Sequence, residues 1–263
     1  MKTNQDVQVY DYVHTGVEKV SIFRTIINFI LGIAIIASLI ILITGVGYIE
    51  HTSSPEFLFQ QGLSHIQKAE QSESPSVRQQ YFQLGFDSFM KAAEQENAAA
   101  QYMVGYWLSE GGDGVDLDIP NGISWLEKSA AKDNDAAMTH LAQLYLISDG
   151  YIDYEKAYAW SLKAANLNNG RAMYFLHLLT ADDTFQYYNE NESLGWLKKA
   201  VDAGDPDAMF NLAVTKFEVF SSSSKTNDDN PFESMKEITT LLKKSAEKGN
   251  NKATELLKKL GQE

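Results

Sequence analysis

One pattern of small, aromatic and apolar positions returns along the second half of the chain. Each copy starts with Ala, often has an aromatic residue two places later, and places Leu or Val and then Gly or Ala four and five places later. Its copies start at Ala100, Ala137, Ala172 and Ala208, and three of the four finish with Trp-x-x-Lys followed by Ala or Ser. The starting Ala and the positions four and five later share one face of an α-helix. The pattern therefore predicts paired helices.

The length of the repeated unit is nearly constant. Successive starting alanines are 37, 35 and 36 residues apart, and a further step of 45 leads to Ala253. The Lys of each finish precedes the next starting Ala by nine residues in all five cases. Length therefore varies only inside a repeat, in the loop that joins its two helices. A fixed period of this size is typical of stacked helical pairs.

Polar residues followed by proline mark where several of these helices begin. Ser54-Pro55, Ser74-Pro75, Asp205-Pro206 and Asn230-Pro231 each combine a helix-capping side chain with a proline in the first turn. We expect an upstream pair near residues 55–70 and 76–95, and a polar insertion at 221–229. The predicted organisation is a tail (1–25), a membrane span (26–48), a linker (49–54), five helical pairs (55–97, 98–134, 135–170, 171–206, 207–250) and a closing helix (251–261).

The membrane span is predicted from an uninterrupted apolar segment. No residue between Arg24 and Glu50 is charged, and the 23 positions from Ile26 to Tyr48 are dense in Ile and Leu. At about 1.5 Å per residue they cover roughly 35 Å, enough to cross a hydrocarbon core of about 30 Å. A buried core helix or a cleaved signal peptide is the alternative. The length of the segment favours an uncleaved anchor.

Basic residues near the span predict its orientation. Lys19 and Arg24 closely precede it, whereas the next Lys or Arg after it is Lys68. The positive-inside rule then leaves the amino terminus in the cytoplasm and the repeats on the far side. The predicted location is the inner membrane of a bacterium, as a single-pass protein whose repeat domain is periplasmic.

Charge and composition exclude several classes of partner. The net charge is −13, and the 48 amino-terminal residues contain equal numbers of acidic and basic residues, so the excess lies in the repeats. Such a surface repels phosphate backbones, so nucleic acid is not an expected partner. Cysteine is absent, which removes disulfides, thiolate nucleophiles and cysteine metal ligands. No cofactor is predicted.

Several motif positions recur together, and in this they resemble the Sel1-like repeat, a relative of the tetratricopeptide repeat. Residues 98–213 carry the resemblance best, including Gly112-x-Gly114-Val115-x-x-Asp118 and Asp153-Tyr154-Glu155-Lys156-Ala157. The resemblance implies an all-α, right-handed α-solenoid and an adaptor or regulatory role through protein binding, often in bacterial envelopes and secretion systems. It implies no chemistry.

The chain departs from that resemblance at four places. His177 fills a Gly or Ala position, Lys258 does the same in the last copy, and Ser88 and Leu241 replace the Trp. The loop at 180–192 also lacks the glycine-containing form of the two loops before it. A final helix with no following neighbour accounts for Lys258.

Catalytic and metal motifs are weak in this sequence. The five histidines form no HExxH pair, and neither a nucleophile elbow nor a phosphate loop is present. Asp116, Asp118 and Glu127 outline a calcium loop, but its fifth and sixth positions are Pro120 and Asn121. We therefore predict no enzyme and no metal site, with His140 and His177 as packing or groove residues.

A partner-binding groove is predicted on the first helix of each repeat. Positions two, three and six after the starting Ala point away from the stacking face, and most are aromatic or apolar. Tyr102, Tyr174 and Phe210, which lie two places after the starting Ala, are expected to pack within their own repeat. The predicted groove comprises Met103, Tyr106, His140, Gln143, Phe175 and Asn211.

Three hypotheses about function follow from these features. The first is a membrane-anchored scaffold or regulator that binds an envelope protein, such as a component of a secretion system of type VI. The second is a periplasmic immunity protein that sequesters a secreted toxin. The third is a cell-wall glycan hydrolase that uses carboxylates such as Glu110, Asp113 and Asp116.

Overall fold

The computed structural model describes residues 54–112, 114–222 and 231–261, with the side chains of 222, 231 and 232 left aside. This part of the chain is all-α, as predicted, and contains no strand beyond a single bridge between Gly112 and Val115. Its helices are α1 (Pro55–Glu70), α2 (Pro75–Glu94), α3 (Ala98–Glu110), α4 (Ile119–Ala130), α5 (Asp135–Ile147), α6 (Tyr154–Asn166), α7 (Gly170–Ala181), α8 (Glu190–Asp202), α9 (Pro206–Ser222), α10 (Pro231–Glu247) and α11 (Asn251–Lys259).

The helices fall into two compact units that meet in sequence at residues 134 and 135. In the first unit, α1 packs on α2, α2 on α3, and α3 on α4. In the second unit, α5 to α11 pack in the same consecutive way, and α7 also contacts the first helices of the pairs before and after it, α5 and α9. Each helix thus buries its apolar face mainly on its neighbours in the chain, which is the arrangement of stacked repeats.

A left-handed residue ends the second helix of every pair. It lies five residues after the motif Lys in each case, and the five residues are Glu96, Asp133, Asn168, Gly204 and Gly249, with φ between 59° and 91°. The next residue donates its amide hydrogen to a carbonyl five positions back, as Asn97 does to Ala92 at 3.0 Å. This is a Schellman motif. It explains why the interval from Lys to Ala never changes.

The residue after the left-handed position caps the following first helix. Asn97 accepts a hydrogen bond from the amide of Ala100 at 2.8 Å, and Asp205 accepts one from Ala208 at the same distance. Asn169 and Asn250 cap α7 and α11 in the same way. At these four junctions the amide of the starting Ala therefore donates a hydrogen bond to the capping side chain. One helix end and the next helix start share a single compact turn.

Small residues lie where the two helices of a pair approach most closely. A Cβ added to Gly105 would come within 2.9 Å of the carbonyl oxygen of Gly122, and the reverse substitution would be equally tight. In the pair formed by α7 and α8 the same two places hold His177 and Ser193, whose Nδ1 and Oγ atoms are 2.8 Å apart. A buried hydrogen bond therefore replaces a backbone contact, which accounts for the departure at His177.

The core of the second unit is built from the apolar positions of the repeated pattern. Leu176 and Leu197 are almost fully buried between α7 and α8, beside the small residue Ala208. A second cluster around Ile238 and Leu242 joins α9, α10 and α11. Close packing of long aliphatic side chains against alanines is what a repeat needs in order to stack without gaps.

The predicted membrane span, residues 26–48, lies outside the described residues, as do the tail and all of the linker but Ser54. Among the helices between residues 54 and 261 that the structure describes, none combines the length and the apolar character needed to cross a bilayer.

Candidate functional site

A shallow cleft of about 380 Å³ opens on the first helices of the second unit. Its lining residues come from α7, α9 and α11, and they are Tyr174, Asp207, Phe210, Asn211, Val214 and Lys252. Two of them, Phe210 and Val214, are half-buried on one face of α9. The cleft thus offers apolar surface together with a phenol, an amide and both signs of charge.

Ionic contacts hold the edge of this cleft in place. The guanidinium of Arg171 contacts the buried carboxylate of Asp205, with a distance of 3.1 Å from Nε, and also contacts Asp207. Asp207 accepts a further hydrogen bond of 2.7 Å from the side-chain amide of Asn250. Burial opposes the charge of Arg171, but its two carboxylate partners outweigh that effect and raise its pKa. These contacts tie α7, α9 and the start of α11 together.

The polar groups that face the cleft are only loosely paired with each other. The amide nitrogen of Asn211 is 3.5 Å from the hydroxyl oxygen of Tyr174, which is long for a hydrogen bond. Burial raises the pKa of Tyr174, so its phenol is neutral and remains a donor at physiological pH. A bound backbone or side chain can therefore replace this long contact at little cost.

The predicted groove residues differ in their exposure. Tyr106, Gln143 and Asn211 are partly exposed, and Asn211 lines the cleft. The other three are buried, and they are Met103, His140 and Phe175. Two of the six belong to the first unit and four to the second. The groove as a whole stays a prediction.

The sequence grouped Tyr174, Phe210 and Val214 among the positions that point away from the stacking face, but it assigned the two aromatic residues to packing. In the structure both pack on the core from its edge and also line the cleft. Asp207 and Lys252 were missed altogether. The sequence signal that could have found them is their position, because each lies two places after the residue that caps its helix.

The described residues show no arrangement that points to catalysis. Glu110 and Asp116, proposed above for glycan hydrolysis, are exposed on the first unit, and Asp113 lies outside the described residues. Asp118 caps α4 by accepting a hydrogen bond from the amide of Asn121. Between residues 54 and 261, among the side chains described, no three His, Asp or Glu residues lie together as metal ligands would. The His177–Ser193 pair is buried and closed to a substrate.

Comparison with known proteins agrees with the fold. The family model of the Sel1 repeat matches residues 98–134, 135–169 and 171–205. A Sel1 repeat protein from Oxalobacter formigenes is similar over 82% of this chain and 81% of its own, with a TM-score of 0.62 and 20% identity. A protective antigen of uropathogenic Escherichia coli is similar over 78% of this chain and 40% of its own, with a TM-score of 0.56 and 21% identity. At such identities the likeness shows the fold alone.

The Sel1 repeat is a protein-interaction fold, and a cleft on its first helices is consistent with that use. The predicted Sel1-like repeats are thus confirmed: the protein contains three Sel1 repeats, at residues 98–134, 135–169 and 171–205.

Proposed function

We propose that this chain is a membrane-anchored scaffold or regulator that binds another protein and catalyses no reaction itself. The observation that carries the proposal is the cleft formed by α7, α9 and α11 in a chain built from Sel1 repeats. Its walls combine half-buried apolar side chains with Tyr174 and Asn211, whose mutual contact of 3.5 Å is long. Such a cleft can receive a side chain or a short backbone segment of a partner.

The cleft suits an extended segment of a partner protein. Phe210 and Val214 offer an apolar strip along one face of α9. Tyr174 and Asn211 stand beside it as a donor and a donor–acceptor for a peptide backbone. Asp207 and Lys252 lie at the same cleft and bring one charge of each sign. Binding would bury the strip and pair the polar groups, which yields both affinity and orientation.

The apolar segment at residues 26–48 supports the anchor, and the positions of Lys19 and Arg24 support a periplasmic repeat domain. A tethered interaction domain at that site would bind a component of the bacterial envelope, for instance an assembly factor of a secretion system such as type VI. The immunity hypothesis uses the same domain and the same cleft but a different partner, namely a toxin that reaches the periplasm.

Two matched valines on α9 allow a sharp test of the cleft. Val214 lines it, whereas Val219 is 60% exposed and lies outside it. The full-length chain, carrying a tag, is crosslinked in intact cells and captured with its partner. Val214→Ser should reduce the captured partner by roughly tenfold, whereas Val219→Ser should leave it unchanged. Equal capture by both variants, each shown to be folded by its melting temperature, would remove the cleft from the proposal.

The identity of the captured protein, together with two further assays, separates the candidate functions. Protease added to spheroplasts should digest the repeats, since they are predicted to face the periplasm; protection of the repeats would refute that orientation. A captured envelope component supports the scaffold, and a captured toxin whose lethality the chain suppresses supports the immunity protein. Release of fragments from purified cell wall by the full-length chain would instead favour the hydrolase.

A further inference from the structure

A group of aromatic side chains is exposed on the second unit, away from the residues that line the cleft. We call it the tyrosine patch, and it consists of Tyr154, Tyr158, Phe185, Tyr187 and Tyr188. Tyr158 and Tyr187 stack in parallel with their centres 4.2 Å apart. Phe185 contacts Tyr187 at 5.0 Å and Tyr154 at 5.8 Å. Three of the tyrosines keep a large exposed fraction, namely 47% for Tyr154, 39% for Tyr187 and 49% for Tyr188.

Three rings of the patch lie in the loop between α7 and α8, and a backbone hydrogen bond closes this loop as it does in the other repeats. In each of the three matched repeats the residue that caps the second helix donates its amide hydrogen to a carbonyl near the end of the first helix. For Asp118, Asp153 and Asn189 these bonds measure 2.7, 2.8 and 2.9 Å. The first two loops achieve this with glycine-containing segments that carry no comparable aromatic group. The aromatic residues of the third loop are therefore not needed for its closure.

One polar contact joins the loop to α6, and two more form within the loop. The side-chain amide of Gln186 donates to the carboxylate of Glu155 at 2.8 Å. Asp182 accepts hydrogen bonds from the amide and the hydroxyl of Thr184 at 2.9 and 2.6 Å. A preformed surface of this kind loses little conformational entropy when a partner binds.

The loop segment of the patch is rich in carboxylates. No Lys or Arg occurs between residues 182 and 197, whereas that segment carries Asp182, Asp183, Glu190 and Glu192. Burial raises the pKa of the Tyr158 phenol, and the negative charge of Glu192 raises it further. The Tyr158 phenol therefore stays neutral in the negative field of Glu192. Cationic groups are attracted both by such a field and by the faces of aromatic rings.

We propose that the tyrosine patch is a second binding surface, and that its occupant is an arginine-rich segment of a partner protein. The planar guanidinium of Arg stacks on tyrosine faces and pairs with carboxylates at the same time, which an ammonium group does less well. A second copy of this chain, with its net charge of −13, is repelled. Nucleic acid and anionic lipid are repelled for the same reason.

This inference does not depend on the proposed function of the cleft, because the two surfaces share no residue. Each has its own variants. Loss of partner capture through Val214→Ser and loss of arginine binding at the patch are separate results, and either one can fail while the other holds.

Binding of a fluorescent nonapeptide of arginine to the full-length chain in detergent tests the proposal. Asp183→Asn with Glu190→Gln removes two exposed charges beside the patch. The matched control, Glu247→Gln with Glu255→Gln, removes two exposed charges on α10 and α11. Tyr154→Ala with Tyr187→Ala removes two rings and no charge. We expect both patch variants to weaken binding by roughly tenfold and the control by less than about twofold. We also expect weaker binding of a lysine nonapeptide.

The opposite pattern would overturn the proposal. If the patch pair and the control pair weaken binding equally, and the tyrosine variant binds as the unaltered chain does, the peptide senses only the overall negative charge. Melting temperatures guard against loss of folding in the tyrosine variant. If the tyrosine variant fails to fold, the charge variant still tests the proposal, because the side chains of Asp183 and Glu190 are exposed and contribute no core packing.

Discussion

The ammonium group of Lys199 lies 4.0 Å from the centre of the Trp196 ring. The same contact joins Lys128 to Trp125 at 3.8 Å and Lys163 to Trp160 at 4.0 Å. It gives a physical reason for the Trp-x-x-Lys finish of the repeats, because three residues along a helix bring the two side chains together. The sequences Ser88 to Lys91 and Leu241 to Lys244 keep the Lys but not the ring.

Removing one of these cation–π contacts should lower stability modestly. We expect Lys199→Gln to reduce the free energy of unfolding by about 0.5–1 kcal/mol, measured by urea denaturation. The control is Lys198→Gln, which removes the same charge from an exposed neighbour on the same helix. If the two variants were equally stable, the contact would contribute nothing and the motif would need another explanation.

The left-handed residues at the repeat junctions should respond to glycine. Glu96 has a φ of 65°, which costs a residue with a Cβ about 1–2 kcal/mol, so Glu96→Gly should raise the free energy of unfolding by about 1 kcal/mol. Its exposed ion pair with Lys132 offsets little of this gain.

Two further junctions provide the controls for that substitution. Asn168→Gly should gain less, because asparagine tolerates the left-handed conformation. Gly204→Ala, at a φ of 89°, should lose stability. A rise in melting temperature for Gly204→Ala would contradict the Schellman account of the nine-residue interval.

The ion pair at the edge of the cleft should show strong coupling. Arg171→Met leaves the carboxylate of Asp205, of which only 3% is exposed, without its cation. We expect a loss of about 2 kcal/mol, below the roughly 3–5 kcal/mol of fully buried pairs because Arg171 is itself partly exposed.

A double-mutant cycle isolates that coupling. Asp205→Asn keeps the helix cap and removes the buried charge, as Asn does at the caps of α3, α7 and α11. The combined variant should therefore be more stable than Arg171→Met alone, measured by urea denaturation. Simple additivity of the two losses would show that the pair is not coupled.

His177 should make stability depend on pH. Burial lowers its pKa below 6.5, and its bond to the carbonyl of Ser193 opposes this only in part. The unfolded chain therefore binds more protons at this site as the pH falls below about 6.5, so the folded state loses stability there, at up to about 1.4 kcal/mol per pH unit.

The comparison with His177→Gln isolates this effect from the other histidines. Urea denaturation at pH 7.5 and 5.5 should show a smaller difference in the variant than in the unaltered chain. If the change in stability between pH 7.5 and 5.5 were the same in both proteins, His177 would not be the source of the pH dependence.

The repeats were readable from sequence because their signals are local. The motif Lys, the next starting Ala and the eight residues between them form one turn whose hydrogen bonds are all near in sequence. Four helices also begin at the prolines that were expected to start them. Signals of this kind survive changes elsewhere in the chain.

The candidate surfaces were harder to predict because they depend on contacts between elements. Tyr174 lines the cleft only because Asn211 and Lys252, from two later helices, lie opposite it. The tyrosine patch was visible in sequence merely as a loop that departs from the pattern. Its meaning emerges once Tyr158 of α6 stacks on Tyr187, 29 positions later in the chain.

The central claim is that a partner protein sits in the cleft, and site-specific photocrosslinking in living cells tests it most directly. A benzoylphenylalanine placed at Asn211 of the full-length chain should yield one discrete adduct with another protein, which Val214→Ser abolishes. The same probe at Glu255, which is exposed and outside the cleft, should yield none. No adduct from position 211, or the same adducts from both positions, would contradict the claim.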